Sequence, residues 1–109
     1  MEKFLITGGR SLSGEIIASG SKNAALPLLF LSLMADDKCE IRRVPNLTDI
    51  QIALEILEIF GVTHKTKSTD SFYLDPSGIR FQVAPYELVS KMRASILILG
   101  PLLARLGKA

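Results

Sequence analysis

An α/β fold follows from the pattern of this 109-residue chain. Short β-type segments alternate with longer stretches whose apolar residues recur at helical spacing. Clusters of glycine, proline and aspartate separate them. The order reads β, β, α, β, α, β, β, β, α, an alternation typical of mixed sheets covered by helices.

Residues 4–7 and 15–19 have strand composition. They flank the turn-rich Gly8-Gly9-Arg10-Ser11-Leu12-Ser13-Gly14, which predicts a hairpin or the start of a sheet. A helix is predicted over 22–34, with Gly20 and a capping Ser21 ahead of it and Pro27 tolerated near its first turn. Asp36-Asp37 ends it, and residues 39–44 alternate as a strand. Thr48-Asp49-Ile50-Gln51 has capping-box form, with Gln51 three residues after the cap. Ile50, Ala53, Leu54, Leu57 and Phe60 keep helical spacing as far as Gly61, the stop. A hairpin over 62–67 and 72–75 turns through Ser68-Thr69-Asp70. Asp75-Pro76-Ser77-Gly78 matches a type I turn, and 79–83 alternates as a final strand. A long helix is predicted over 86–106, kinked at Gly100-Pro101 and ended by Gly107.

Composition narrows the functional classes. Hydrophobic residues make up 48% and there are 8 glycines in 109, above the roughly 45–50% usual with glycine included. The surplus suits helices packed inside a larger body, or a module that oligomerises. A net charge of +2, with bases scattered apart from Arg42-Arg43, excludes a nucleic-acid interface. The single Cys39 excludes an internal disulfide and fits a reducing compartment. No signal-peptide core opens the chain, and no apolar run reaches the roughly 20 residues of a membrane span. A cytoplasmic protein without a membrane partner is expected.

The sharpest candidate site is Gly20-Ser21-Lys22-Asn23, directly before the uncharged run of residues 24–35. The first turn of a helix has unpaired N–H groups and partial positive charge. A lysine ammonium added there makes a seat for phosphate or carboxylate. At about 4 Å, ammonium and phosphate oxygen attract by roughly 4 kcal/mol at an effective dielectric of 20, before desolvation. The plain alternative is a solvated lysine. Asn23 can donate through its amide to a ligand, or serve only the turn. Arg93 shares a largely apolar face with Val89, Ile96 and Leu97, either as a snorkelling side chain or as a planar cation for phosphate or sugar oxygens. Lys91 reads as solvated. Cys39 has no base near it in sequence and reads as a structural thiol; His64 reads as an ordinary sheet residue. No metal-spaced cluster exists, Gly8-Gly9 to Gly14 is not a Walker loop, and no cofactor is expected.

Gly20-Ser21-Lys22-Asn23-Ala24-Ala25-Leu26-Pro27, with Val44-Pro45-Asn46-Leu47, Ala84-Pro85-Tyr86-Glu87-Leu88-Val89, Met92-Arg93-Ala94-Ser95-Ile96 and Leu99-Gly100-Pro101-Leu102, closely resembles the UDP-N-acetylglucosamine enolpyruvyl transferases. The shikimate-pathway relatives share the Gly-Ser-Lys start but usually follow it with serine and, a turn on, an arginine. Here those places hold Asn23 and apolar residues or Pro27, which favours the sugar-nucleotide branch.

The resemblance implies transfer of the enolpyruvyl group of phosphoenolpyruvate to the 3-hydroxyl of UDP-N-acetylglucosamine. That is the first committed step of peptidoglycan synthesis, and with it of cell-wall growth, cell shape and division. It also implies an inside-out α/β barrel of βαβαββ repeats, in two domains with the site between them. Residues 1–21 would then supply strands completing the second domain. Residues 22–109 would form the first repeat and the start of the second repeat of the first domain. Lys22 and Asn23 would engage phosphoenolpyruvate, and Arg93 the sugar nucleotide. Such enzymes are several times longer, and their catalytic cysteine lies in a loop beyond the counterpart of Ala109. Cys39 does not match it. By this resemblance the chain contains no catalytic residue of its own, relies on the remainder of its polypeptide, and is inactive alone.

Overall fold

The computed structural model describes residues 2–109, so Met1, the first residue of the predicted 1–21 segment, lies outside it. Helix α1 (Lys22–Leu31) runs into a 3-10 turn (Ser32–Met34), as the apolar run predicts. Strand β1 (Cys39–Ile41) follows, then α2 (Thr48–Ile59), β2 (Thr63–Ser68) and β3 (Ser71–Asp75). A short α3 (Tyr86–Val89), a 3-10 segment (Arg93–Ile98) and α4 (Leu99–Leu106) complete the chain.

The strands form an antiparallel sheet in the order β1-β3-β2. Cys39, Leu74 and His64 share one row across it, and Ile41, Phe72 and Thr66 another. Between them, Glu40, Tyr73 and Lys65 share a row facing the opposite way, by the two-residue period of a strand. Phe72 and Leu74 are buried while Tyr73 is exposed, so the helices cover one face and water the other. The core joins Leu26, Leu29, Phe30 and Leu33 to Ile50, Ala53, Leu57, Phe60 and Leu74.

Several expected elements differ. Residues 4–7 and 15–19 form no strands; Phe4 is 97% exposed and Ile16 94%. A strand needs a neighbour to satisfy its backbone, and this arm has none beside it. The radius of gyration, 17.1 Å, exceeds the roughly 13 Å of a compact 100-residue domain for the same reason. The strand expected over 39–44 stops at Ile41, because Arg43 turns into the left-handed region (φ 57°) and Val44 N–H donates to the Asp70 carbonyl. Residues 79–83 form no strand either, since Arg80 N–H is drawn to the Phe60 carbonyl at the end of α2. The turn after β3 lies one residue later than expected, closed by Ile79 N–H to the Pro76 carbonyl.

Neither predicted cap makes a side-chain hydrogen bond to its helix. Ser21 is the N-cap of α1, but its carbonyl, not its hydroxyl, accepts Ala24 and Ala25 N–H. The cap of α2 is Leu47, one residue before Thr48, and its carbonyl accepts Ile50 and Gln51 N–H. The long helix over 86–106 is broken at 90–92, ahead of Gly100-Pro101. Met92 leaves helical geometry (φ −140°, ψ 116°) and is buried, and the Ser95 hydroxyl donates to the Val89 carbonyl that the next turn would have used. Gly107 ends α4 as expected.

On the wet face of the sheet, Glu40 accepts from Arg42 at 3.0 Å and from Lys67 at 2.7 Å, while Lys67 lies over the Tyr73 ring. Hydrogen bonds from Arg42, then Lys67, hold the Glu40 carboxyl down from its ordinary 4.5 to about 2. A depressed carboxyl favours the folded state above its unfolded value, and that contribution disappears as pH falls from about 4.5 to 2. A carbon-13 NMR titration of the Glu40 carboxyl is expected to give a midpoint near 2, rising toward the ordinary range in Arg42→Ala. An ordinary midpoint in the unaltered protein would show that the cluster does not persist in solution.

Candidate functional site

The site grows from the point where α1 and α2 begin. The chain enters α1 through Gly20, where a side chain would overlap the Arg43 carbonyl, so the approach to Lys22 is pressed against the loop after β1. Lys22 and Asn23 are the first two residues of α1 and both are exposed. Their N–H groups lie in the first turn, where no intrahelical partner exists. No acidic residue occupies that turn. Taken by itself, that helix end favours an anion.

One neighbour of Lys22 was not foreseen. Lys22 Nζ donates to Asp49 Oδ2 at 2.9 Å, across 27 residues of sequence. Asp49 lies in the first turn of α2, where a carboxylate is favoured by that helix's own dipole. Its position directly after Thr48 was the only signal, and the capping-box pattern absorbed it. The two side chains are 44% and 32% exposed, so the pair is worth about 0–1 kcal/mol and can be rearranged by a ligand. An ammonium has three donors, and two remain for an incoming oxygen. Asn23 makes no side-chain hydrogen bond among the described residues.

Arg93 lies elsewhere than expected. It is not on a continuous helix beside Val89 but opens the 3-10 segment after the break, exposed to solvent. That segment packs against α1, so Arg93 and Lys22 stand on neighbouring elements, though no hydrogen bond or ion pair joins them among the described residues.

The EPSP synthase (3-phosphoshikimate 1-carboxyvinyltransferase) family profile matches residues 6–109. The chain belongs to this family. Within it, the chain is 49% identical over 109 residues to the UDP-N-acetylglucosamine 1-carboxyvinyltransferase of Idiomarina loihiensis. It is 54% identical over 110 residues to the enzyme of that name from Methylacidiphilum infernorum. Each match takes in 100% of this chain but only 26% and 25% of those proteins, so the chain spans about a quarter of the length of its curated relatives. The enolpyruvyl transferase NikO from Streptomyces tendae superposes with a TM-score of 0.75 at 26% identity, over 92% of this chain and 23% of that one. The α/β architecture is therefore that of an enolpyruvyl transferase.

Among the described residues, Cys39 and His64 do not assemble a second centre. Cys39 and His64 flank Leu74 on opposite strands, roughly 9–10 Å apart at ordinary strand spacing, so they form no thiol–imidazole pair. Burial pushes the Cys39 thiol up, away from a thiolate. His64 Nε2 lies 2.9 Å from Glu58 and ties β2 to α2. Among the described residues no helix is long and apolar enough to cross a membrane, and no group of three potential metal ligands converges.

Proposed function

We propose that this chain is the N-terminal portion of a UDP-N-acetylglucosamine 1-carboxyvinyltransferase. The observation that carries this reading is identity near one half along the whole chain with enzymes of that name. In the proposed reaction the sugar's 3-hydroxyl oxygen bonds to C2 of phosphoenolpyruvate and the C2–O bond to phosphate breaks. The hydroxyl proton is lost and inorganic phosphate leaves. Lys22 is the cation that follows the phosphate as its charge changes, Asn23 donates to the same ligand, and Arg93 meets the sugar nucleotide. The place of Lys22 and Asn23 at the very start of α1, where backbone N–H groups lack intrahelical partners, supports the first two roles.

In this reading residues 1–21 complete the second domain and residues 22–109 begin the first. The exposed apolar arm from Phe4 to Ile17 supports that division. The reaction serves peptidoglycan synthesis, cell shape and division, in the cytoplasm; the single Cys39 is compatible with that compartment.

The test is phosphate release by a protein of the relatives' length that carries these residues. Release is expected with phosphoenolpyruvate and UDP-N-acetylglucosamine together and with neither alone. The 109-residue chain by itself is expected to release none. Turnover with 3-phosphoshikimate in place of the sugar nucleotide would instead support a shikimate-pathway transferase, the activity that the family's description names. Turnover by the isolated chain would refute its dependence on the rest of the polypeptide.

A further inference from the structure

We propose that Asp49 is the positioning residue for Lys22 in enolpyruvyl transfer, an inference that rests on the reading of Lys22 as the phosphate-facing cation. A lysine at the start of a helix has a long, flexible stem, and the positive end of α1 repels its ammonium. Left alone it would sample many positions. Asp49 Oδ2 holds it at 2.9 Å. The carboxylate is a fixed post, because α1 and α2 are packed together through buried Leu26, Leu29, Ile50 and Ala53. Its place in the first turn of α2 is itself favoured, so it does not need Lys22 in order to stay there.

The geometry has a kinetic signature. Asp49 takes one of the three ammonium donors and aims the other two. It also carries a negative charge that opposes an arriving dianion. Removing that charge therefore loosens the ammonium without weakening the capture of phosphoenolpyruvate. A residue that only stabilised the fold would lower stability and leave both kinetic constants alone.

A double-mutant cycle in the full-length protein, read by phosphate release against phosphoenolpyruvate concentration, tests this. Asp49→Asn is expected to lower kcat roughly 10-fold with KM for phosphoenolpyruvate unchanged or reduced. Asp49→Glu, which keeps the charge, should retain most of kcat. In a Lys22→Ala background, Asp49→Asn should change nothing further. Asp49→Ser, another good helix-start residue, replaces the asparagine variant if that one does not fold. The same loss in both backgrounds, or an unchanged kcat, overturns the role of Asp49 and leaves Lys22 in place. Unchanged turnover in Lys22→Ala alone overturns the reading of Lys22 and this inference with it.

Discussion

Lys22→Ala in the full-length protein is expected to lower kcat by roughly 10²–10³-fold, the usual cost of removing one donor aimed at developing charge. Thermal unfolding should barely move. The Lys22 side chain is 44% exposed and that of its partner Asp49 32%, so the ion pair contributes only about 0–1 kcal/mol to folding. A phosphate oxygen at about 4 Å attracts the same ammonium by roughly 4 kcal/mol at an effective dielectric of 20, before desolvation. Catalysis and stability are thus separated by a clear margin at this one residue. Phosphate-release kinetics beside a melting curve reads both. A variant that melts earlier but turns over normally would reduce Lys22 to the surface partner of Asp49.

What could be read in advance about this site depended on range. The first turn of α1, with Lys22 and Asn23 on it, is a local matter: a glycine, a cap position and an apolar run in direct succession. Asp49 lies 27 residues further on, and only the packing of α1 against α2 brings it to Lys22. Nothing in the local pattern separates a carboxylate that serves its own helix end from one that also reaches a neighbour. The caps were only partly legible: Ser21 does cap α1, but through its carbonyl, and the cap of α2 falls on Leu47, one residue ahead of the expected Thr48.

For the fold, the apolar helices and the hairpin were legible because their residues bury against one another inside the chain. The segments 4–7, 15–19 and 79–83 have strand composition, but composition states a preference and a ladder needs a partner. The break at 90–92 was hidden for another reason. Helical spacing continues through Val89, Ile96 and Leu97, and the interruption depends on Met92 turning into the core and Ser95 capturing the Val89 carbonyl.

Gly61→Ala is expected to damage the fold severely. Gly61 ends α2 with φ 90°, its N–H donating to Glu58 and the Val62 N–H reaching back to Leu57. This closes the helix's last carbonyls and turns the chain directly into β2. A β-carbon there meets two obstacles. The left-handed backbone is strained for any L side chain, by roughly 1–3 kcal/mol. The added carbon would also overlap the Gly78 carbonyl oxygen in the turn after β3, and that atom is backbone that cannot swing aside. Overpacking of this kind costs roughly 1–3 kcal/mol more. The sum is comparable to much of a small domain's stability, so the midpoint of urea unfolding should fall steeply or folding should fail. Gly107→Ala supplies the comparison: its φ is 72°, but the space around it is open, so only the backbone strain applies. If the two variants lost equal stability, the close approach of the 61 and 78 backbones would not persist in solution, and the seam between α2 and the sheet would need redrawing.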